Sequence, residues 1–175
     1  NPVFLVSGGT GGITAPIVVD LAKNTSGRFY LLGRSPLPAP DDADLQRLQK
    51  DRNGLKQDLA ARLVKEGAKG TPVEIEQKIS LLERAAATRD AIRSIEKAGG
   101  KAAYIPCDVT DFSAVSSAVK EVKKKEGRVD VLIHAAGVER SRKLENKPLD
   151  EFKNIFAVKA DGFFNLYHAL QQNKC

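Results

Sequence analysis

Four short apolar runs punctuate the chain, and the stretches after them carry apolar residues at helical spacing. The first, Val3-Phe4-Leu5-Val6, ends in Ser7-Gly8-Gly9-Thr10-Gly11-Gly12. A buried parallel strand that feeds a tight glycine turn has this form. The segment from about Ile13 to Lys23 predicts a helix that packs through Ile17, Val18 and Leu21. Pro16 falls in its first turn, where backbone N–H groups have no intrahelical partner to lose. Phe29-Tyr30-Leu31-Leu32 predicts a second strand, closed by Gly33. Ala102-Ala103-Tyr104-Ile105 and Val129-Asp130-Val131-Leu132-Ile133 predict two more, followed by helices near 113–125 and from about 148 to 172. This alternation predicts an α/β fold, a Rossmann-type doubly wound parallel sheet with helices on both faces. Right-handed crossovers then give the strand order 3-2-1-4 of a half-Rossmann sheet.

One connection is too long for that plan. Between Gly33 and Lys101 lie 67 residues, where a simple crossover unit needs about 30. Leu45, Leu48, Leu55, Leu59 and Leu63 recur at spacings that line one helical face. After Gly67 and Gly70, Thr71-Pro72-Val73-Glu74 forms a capping box with proline at the first helical position. Ile75, Ile79, Leu82, Ile92 and Ile95 continue an apolar stripe. Residues 36–98 are therefore expected to form a two-helix antiparallel insertion, placed before or merged with the usual second crossover helix. A packing elaboration and a partner-docking surface both fit that stripe.

Composition narrows the class. The 175 residues hold 28 Lys and Arg against 22 Asp and Glu, a net charge of +6, with 42% hydrophobic and 29% charged side chains. That length suits one domain with a sizeable core, and the composition argues against disorder. No apolar run reaches the roughly 18 residues of a membrane span. Two cysteines, Cys107 and Cys175, are too few for a disulfide framework or a zinc cluster. The expectation is a reducing, cytoplasmic setting, with no metal, membrane or nucleic-acid partner. Residues 36–98 carry 12 basic and 11 acidic side chains, the balance of solvated helix faces.

Candidate chemistry gathers at the predicted strand ends. Gly8, Gly9, Thr10, Gly11, Gly12 and Ile13 sit between a strand and a helix. There, free N–H groups and the positive end of the helix dipole suit a pyrophosphate. The usual third glycine of such a loop is Thr14 here. The second strand ends in Gly33-Arg34-Ser35, where a site for NAD would place a carboxylate. A guanidinium fork and a hydroxyl suit a ribose 2′-phosphate instead, so NADPH is the expected cofactor; a solvated loop arginine is the plainer reading. Cys107-Asp108-Val109-Thr110-Asp111 follows the third strand. Asp108 could accept from an adenine amine while Val109 packs on the ring, or either aspartate could cap the next helix. Cys107 reads most simply as a small buried residue beside them. After the fourth strand come His134-Ala135-Ala136-Gly137. Ala135, Ala136 and Gly137 are small enough for a flat ring to approach, and His134, without a second ligand nearby, reads as structural. Lys159 interrupts an apolar helical stretch, either snorkelling to solvent or partnered.

Taken together, these pieces resemble the short-chain dehydrogenase/reductase superfamily. Within it they are most similar to the ketoreductase domains of multidomain polyketide and polyunsaturated-fatty-acid synthases. The matching stretches are Ser7–Thr14, Leu31–Ser35, Cys107–Asp111, Leu132–Val138 and Phe156–Leu170. Val158-Lys159-Ala160-Asp161-Gly162 resembles the segment in which these ketoreductases carry a catalytic lysine, which assigns that role to Lys159. A threonine at the third glycine position, the long insertion and Ala98-Gly99-Gly100-Lys101-Ala102 are similar to the polyunsaturated-fatty-acid branch. The resemblance implies reduction of a β-ketoacyl thioester, borne by an acyl carrier protein, to the β-hydroxyacyl product with NADPH. A serine would hold the ketone oxygen and a tyrosine would protonate it, with Lys159 lowering that tyrosine's pKa.

Tyr30, Tyr104 and Tyr167 stand in none of the positions the resemblance requires of that tyrosine. The chain is therefore expected to be the cofactor-binding portion of a ketoreductase domain, incomplete at its C-terminus and inactive alone. Its expected partners are the rest of that domain, neighbouring synthase domains and the acyl carrier protein. Glu139-Arg140-Ser141 stands where many synthase ketoreductases have Leu-Asp-Asp, so no product configuration is drawn. Two rival readings remain: an extended-type epimerase or dehydratase, whose glycine spacing Gly8 and Gly11 also fit, and a structural or NADP-sensing subdomain.

Overall fold

A computed structural model describes all 175 residues. Strands β1 (Val3–Ser7), β2 (Arg28–Gly33), β3 (Lys101–Pro106) and β4 (Val131–His134) form one sheet in the order β3-β2-β1-β4, with every adjacent pair parallel. Helices α1 (Thr14–Thr25), α2 (Ala43–Lys50), α3 (Arg52–Lys65), α4 (Pro72–Lys97), α5 (Phe112–Glu126), α6 (Leu149–Phe156) and α7 (Gly162–Gln172) complete the chain. A 3-10 turn spans Leu144–Asn146, and a π-helical turn, Ala157–Asp161, joins α6 to α7. None of the helices is long and apolar enough to cross a membrane. The chain divides into two compact units, Asn1–Pro36 with Ala91–Cys175, and Leu37–Asp90.

In the first unit, side-chain alternation along buried strands builds two cores. Val3, Leu5, Tyr30, Leu32 and Ile105 face one way and meet Val115, Val119 and Val122 of α5 and Leu166 and Ala169 of α7. Phe4, Val6, Phe29 and Leu31 face the other way onto Val18 and Ala22 of α1 and Ile95 at the end of α4. The Phe4 and Phe29 rings stack with centroids 4.5 Å apart, as cross-strand neighbours in the β1–β2 register. Helix α1 buries Val18 and Ala22, one turn apart, whereas Ile17 is 50% exposed. The expected packing through Ile17 is thus corrected, because that position lies about 100° around the helix from Val18. At the amino ends of the strands, the Val3 N–H donates to Asp130 at 2.8 Å. There too, the Tyr30 hydroxyl donates to Glu126 at 2.6 Å while Arg28 pairs with the same carboxylate.

The second unit has three helical segments where two were expected. Asp51 interrupts the leucine stripe with extended backbone (φ −152°, ψ 82°), and its side chain accepts from the Gly54 N–H at 2.8 Å. A short acceptor side chain competes with helical hydrogen bonding, so the aspartate ends α2 and caps α3 instead of continuing one helix. The Thr71–Glu74 box forms as its residues dictate: the Thr71 N–H donates to Glu74 at 2.7 Å and the Glu74 N–H to Thr71 at 3.3 Å. From there α4 runs on through Lys97, so the insertion and the crossover helix are one continuous helix. Leu55, Leu59 and Ile79 form this unit's core. Around it, Arg47–Asp58, Arg62–Asp44 and Arg52–Glu83 pair at 2.7, 2.7 and 2.9 Å.

Candidate functional site

The parallel register brings Ser7, Gly33, Pro106 and His134 to one edge of the sheet, where open α/β sheets place their ligands. The glycine loop follows directly from β1. Gly8 has φ +72°, and a Cβ there would stand 2.6 Å from the Ala135 carbonyl group and the Ala136 nitrogen. Only glycine gives both that backbone angle and that approach. The loop is therefore seated against the end of β4, where the Ala135 N–H also donates to the Ser7 carbonyl at 2.9 Å. Gly9 is buried over Val6 and Leu31. Gly11 and Gly12 lie under open space, with Gly12 at φ +54°. Ile13 is 82% exposed, Thr10 is half-buried, and Thr14 is the first residue of α1. No side chain caps α1 and its first turn has no acid. Pro16 lends no N–H to its first turn and the Ala15 N–H reaches the Gly11 carbonyl at 3.4 Å, so the Thr14 N–H, beneath an uncluttered loop, is the first-turn donor that fits an anion.

The end of β2 is held from β3. The Tyr104 hydroxyl donates to the Ser35 carbonyl at 2.6 Å, and a Cβ on Gly33 would stand 2.6 Å from that same hydroxyl oxygen. Burial pushes the Tyr104 phenol up, so it stays a donor. Arg34 is exposed and Ser35 half-buried beside it. This places a guanidinium one residue past the strand end, on an anchored turn. Tyr104 was legible only as a strand residue; its anchoring role depends on a partner 69 positions away.

The β3 end bears out the burial of Cys107 and corrects the packing expected of Val109. Cys107 is 3% exposed within the core and its N–H donates to the Gly33 carbonyl at 2.8 Å. Burial, with lesser help from Asp108 and Asp111, pushes its thiol up to about 11, so Cys107 offers neither a surface nor a thiolate to a cofactor. Val109 is 5% exposed in the same core, close against Gly162. Its side chain is thus unavailable for packing on a ring, and only backbone could serve. The two aspartates make different contacts. Asp111 caps α5, accepting from Ser113 and Ala114 N–H groups at 2.8 and 3.3 Å. Asp108 accepts from the Thr110 N–H and hydroxyl through one oxygen, at 3.0 and 2.7 Å.

At the β4 end, Ala135 and Gly137 are exposed and Ala136 half-buried. A Cβ on Gly137 would stand 3.3 Å from Cε and 3.6 Å from Nζ of Lys159, so the lysine side chain lies over that glycine. The wide turn Ala157–Asp161 carries it there, and such turns recur at functional sites. Beside Lys159 opens a cleft of about 680 Å³ with an apolar floor of Val138 and Ile155. Arg140, Arg142, Lys143 and Lys147 line it as well, with Glu139 as its one acid. Arg140 and Arg142 each approach Glu151 of α6 at 3.4 Å, and that carboxylate's side chain is 8% exposed. Sequence reasoning passed over this cluster because a charge run followed by a polar loop looks like solvated surface. It also missed Ser7, whose hydroxyl lies 2.7 Å from His134 Nδ1; a polar residue ending an apolar strand was the available signal.

A parallel sheet with an uncapped helix behind a glycine loop, and small residues at the neighbouring strand end, defines a dinucleotide-binding α/β architecture. Residues 52–174 match the family model described as enoyl-(acyl carrier protein) reductase. The chain belongs to the short-chain dehydrogenase/reductase family. It is 34% identical over 181 residues to a polyunsaturated fatty acid synthase polypeptide of Thraustochytrium sp., covering 98% of this chain and 6% of that protein. To polyketide synthase PksM of Bacillus subtilis it is 26% identical over 159 residues, covering 91% of this chain and 3% of that one. The chain thus spans a small fraction of the length of these relatives. Among solved structures, an N-terminal ketoreductase from the macrolactin assembly line aligns with a TM-score of 0.67 at 20% identity. That alignment covers 98% of this chain and 26% of that one. A metagenomic short-chain oxidoreductase in complex with NADP aligns at 0.62 and 21% identity, over 99% and 55%. At those identities the structural likeness speaks for the fold.

Proposed function

We propose that the chain is the nucleotide-holding part of a ketoreductase that reduces a β-ketoacyl thioester on an acyl carrier protein with NADPH, within a cytoplasmic synthase. The observation that carries this reading is the position of Lys159, over Gly137 and on the same sheet edge as the glycine loop. The two synthase relatives support the setting. Gly8 to Ile13 and the start of α1 would hold the pyrophosphate. Arg34 and Ser35 would take the 2′-phosphate and Asp108 the adenine amine, with Ala135, Ala136 and Gly137 beside the nicotinamide half. When bound, NADPH supplies the hydride.

Lys159 contributes a cation next to where alkoxide charge develops, favouring the ionised form of a neighbouring acid and orienting the ribose. The cationic cleft beyond it suits an acidic carrier and its phosphate-bearing arm. No tyrosine of these residues serves as proton donor at this edge. Tyr30 is engaged by Glu126, Tyr104 by the Ser35 carbonyl, and Tyr167 stacks on Phe163 of α7. The donor and the ketone-binding serine are therefore assigned to further chain, and these 175 residues by themselves should reduce no ketone.

Titration of NADPH and NADH, followed by nicotinamide fluorescence, tests the reading. Arg34→Ala should weaken NADPH by about 10- to 100-fold, the worth of a charge-assisted pair, and leave NADH nearly unchanged. Tighter binding of NADH by the parent protein, or an equal loss for both cofactors, would overturn the role of Arg34. Failure to bind either cofactor would overturn the reading itself.

A further inference from the structure

The turn that bears Lys159 takes the helical donor away from a backbone acceptor. In Ala157–Asp161 the Gly162 N–H donates to the Ala157 carbonyl, five residues back. An α-helix would have sent that N–H to Val158, four residues back. That acceptor, the Val158 carbonyl, is met instead by an imidazole. His134 Nε2 lies 3.1 Å from the Val158 carbonyl oxygen and 3.2 Å from that of Lys159. Carbonyl oxygens only accept, so this nitrogen carries the hydrogen. In a neutral ring Nδ1 is then an acceptor, and the Ser7 hydroxyl, 2.7 Å away, donates to it. The same oxygen accepts from the Ala136 N–H at 3.4 Å. Both ring nitrogens and the hydroxyl are thereby fixed in direction, and Ser7 is fully buried. Space for the ring exists because residue 162 is glycine: a Cβ there would stand 3.3 Å from His134 Cε1.

We propose that His134 is the positioning residue of Lys159. As its Nε2–H tautomer it supplies the hydrogen bond that the wide turn withdraws from Val158. It thereby sets the backbone from which Lys159 extends over Gly137. Ser7, at the strand end that begins the glycine loop, fixes the tautomer, so the loop and the lysine are referenced to one ring. The imidazole transfers no proton in this role; it holds a carbonyl pair in place. This inference rests on Lys159 being the cation of the reductase site.

Two substitutions at His134 separate the two ends of the ring. His134→Gln keeps an N–H donor that can reach the position of Nε2, and His134→Asn keeps a polar group near Nδ1 but falls short of the carbonyls. In the complete ketoreductase polypeptide, kcat for NADPH-dependent reduction of a β-ketobutyryl thioester of N-acetylcysteamine is the first readout. His134→Asn should lower kcat by about 10- to 100-fold, the scale of a misplaced group, with KM for the thioester little changed. His134→Gln should recover it to within about threefold of the parent. Equal losses in both variants, or none in His134→Asn, would overturn the proposal.

The second readout needs no turnover: hydrogen exchange of the Gly162 amide and the rate of reductive methylation of Lys159. Both should change in His134→Asn and return toward parent values in His134→Gln. If the parent reduces no thioester, the proposed function fails, while these two rates still decide whether His134 holds the turn; identical rates in all three proteins would refute it. Should His134→Asn not fold, Ser7→Ala carries the same comparison, with faster Gly162 exchange expected and an unchanged rate refuting.

Discussion

Replacing Gly8 by alanine tests whether the glycine loop is seated on β4 as described. Two costs combine. A side chain at φ +72° meets the steric penalty of left-handed backbone, about 1 kcal/mol. The new methyl would also stand 2.6 Å from backbone atoms of Ala135 and Ala136. Those atoms belong to a peptide unit, not a flexible side-chain tip, so relief requires moving the end of β4, a further 1–3 kcal/mol, roughly, by analogy with overpacked cores. The sum is about 2–4 kcal/mol. Gly12, at φ +54° but with open space where a Cβ would go, should lose about 1 kcal/mol as alanine. Gly11, which has neither constraint, should lose less than about 0.5 kcal/mol. In urea, with a slope of about 2 kcal/mol/M, the midpoint should fall by roughly 1–2 M for Gly8→Ala and by about 0.5 M or less for the other two. A Gly8→Ala protein that unfolds at the parent's midpoint, or a Gly12→Ala protein that loses as much, would refute the seating of the loop on β4.

Two further outcomes follow from the ionisable groups. Burial first, and the Glu126 hydrogen bond second, push the Tyr30 phenol up to about 12. The folded protein keeps that proton where an unfolded tyrosine, near pH 10, loses it, so this contribution is complete below about pH 10 and lost between about 10 and 12. Glu126 is held below the usual carboxylate range, chiefly by the Tyr30 hydroxyl and then by Arg28. Its contribution is complete above about pH 4.3 and lost as pH falls through its lowered value. Tyr30→Phe should cost about 1 kcal/mol at pH 7 and flatten the alkaline slope in chemical denaturation; unchanged stability and slope would disprove the coupling. With Cys107 buried and its thiol pushed up to about 11, Ellman's reagent should modify Cys175 quickly and Cys107 only on unfolding. Two fast thiols would count against the core placement of Cys107.

Much of the first unit was legible because its signals are local. The apolar runs at Val3, Phe29, Ala102 and Val131 are strands whose order follows from crossover handedness. The Thr71–Glu74 box reads directly as a helix start. What escaped depends on side chains meeting across the sequence or on a single competing acceptor. Asp51 breaks a leucine stripe whose spacing is undisturbed by the break. Val109 sits just past a strand end, where alternation alone does not say whether a residue faces the groove or the core. The glycine loop and Arg34 could be named from their neighbours in the chain. The pairing of Ser7 with His134, 127 positions apart, could not, nor could the wide turn, since Ala157-Val158-Lys159-Ala160-Asp161 has no residue that forbids a regular helix.

That wide turn also acts as a phase shifter. One residue more than a regular turn holds advances the screw by about 100°, so α6 and α7 do not share an azimuth although they follow one another without a loop. Phe152, Phe156 and Phe163 would form one continuous aromatic strip on an uninterrupted helix. Here Phe152 stacks with Phe156, while Phe163 keeps company with Tyr167 and lies 6.3 Å from His134. Any helical wheel drawn straight through residues 149–172 therefore mixes two faces, and the aromatic side chains must be counted afresh from Gly162 onward.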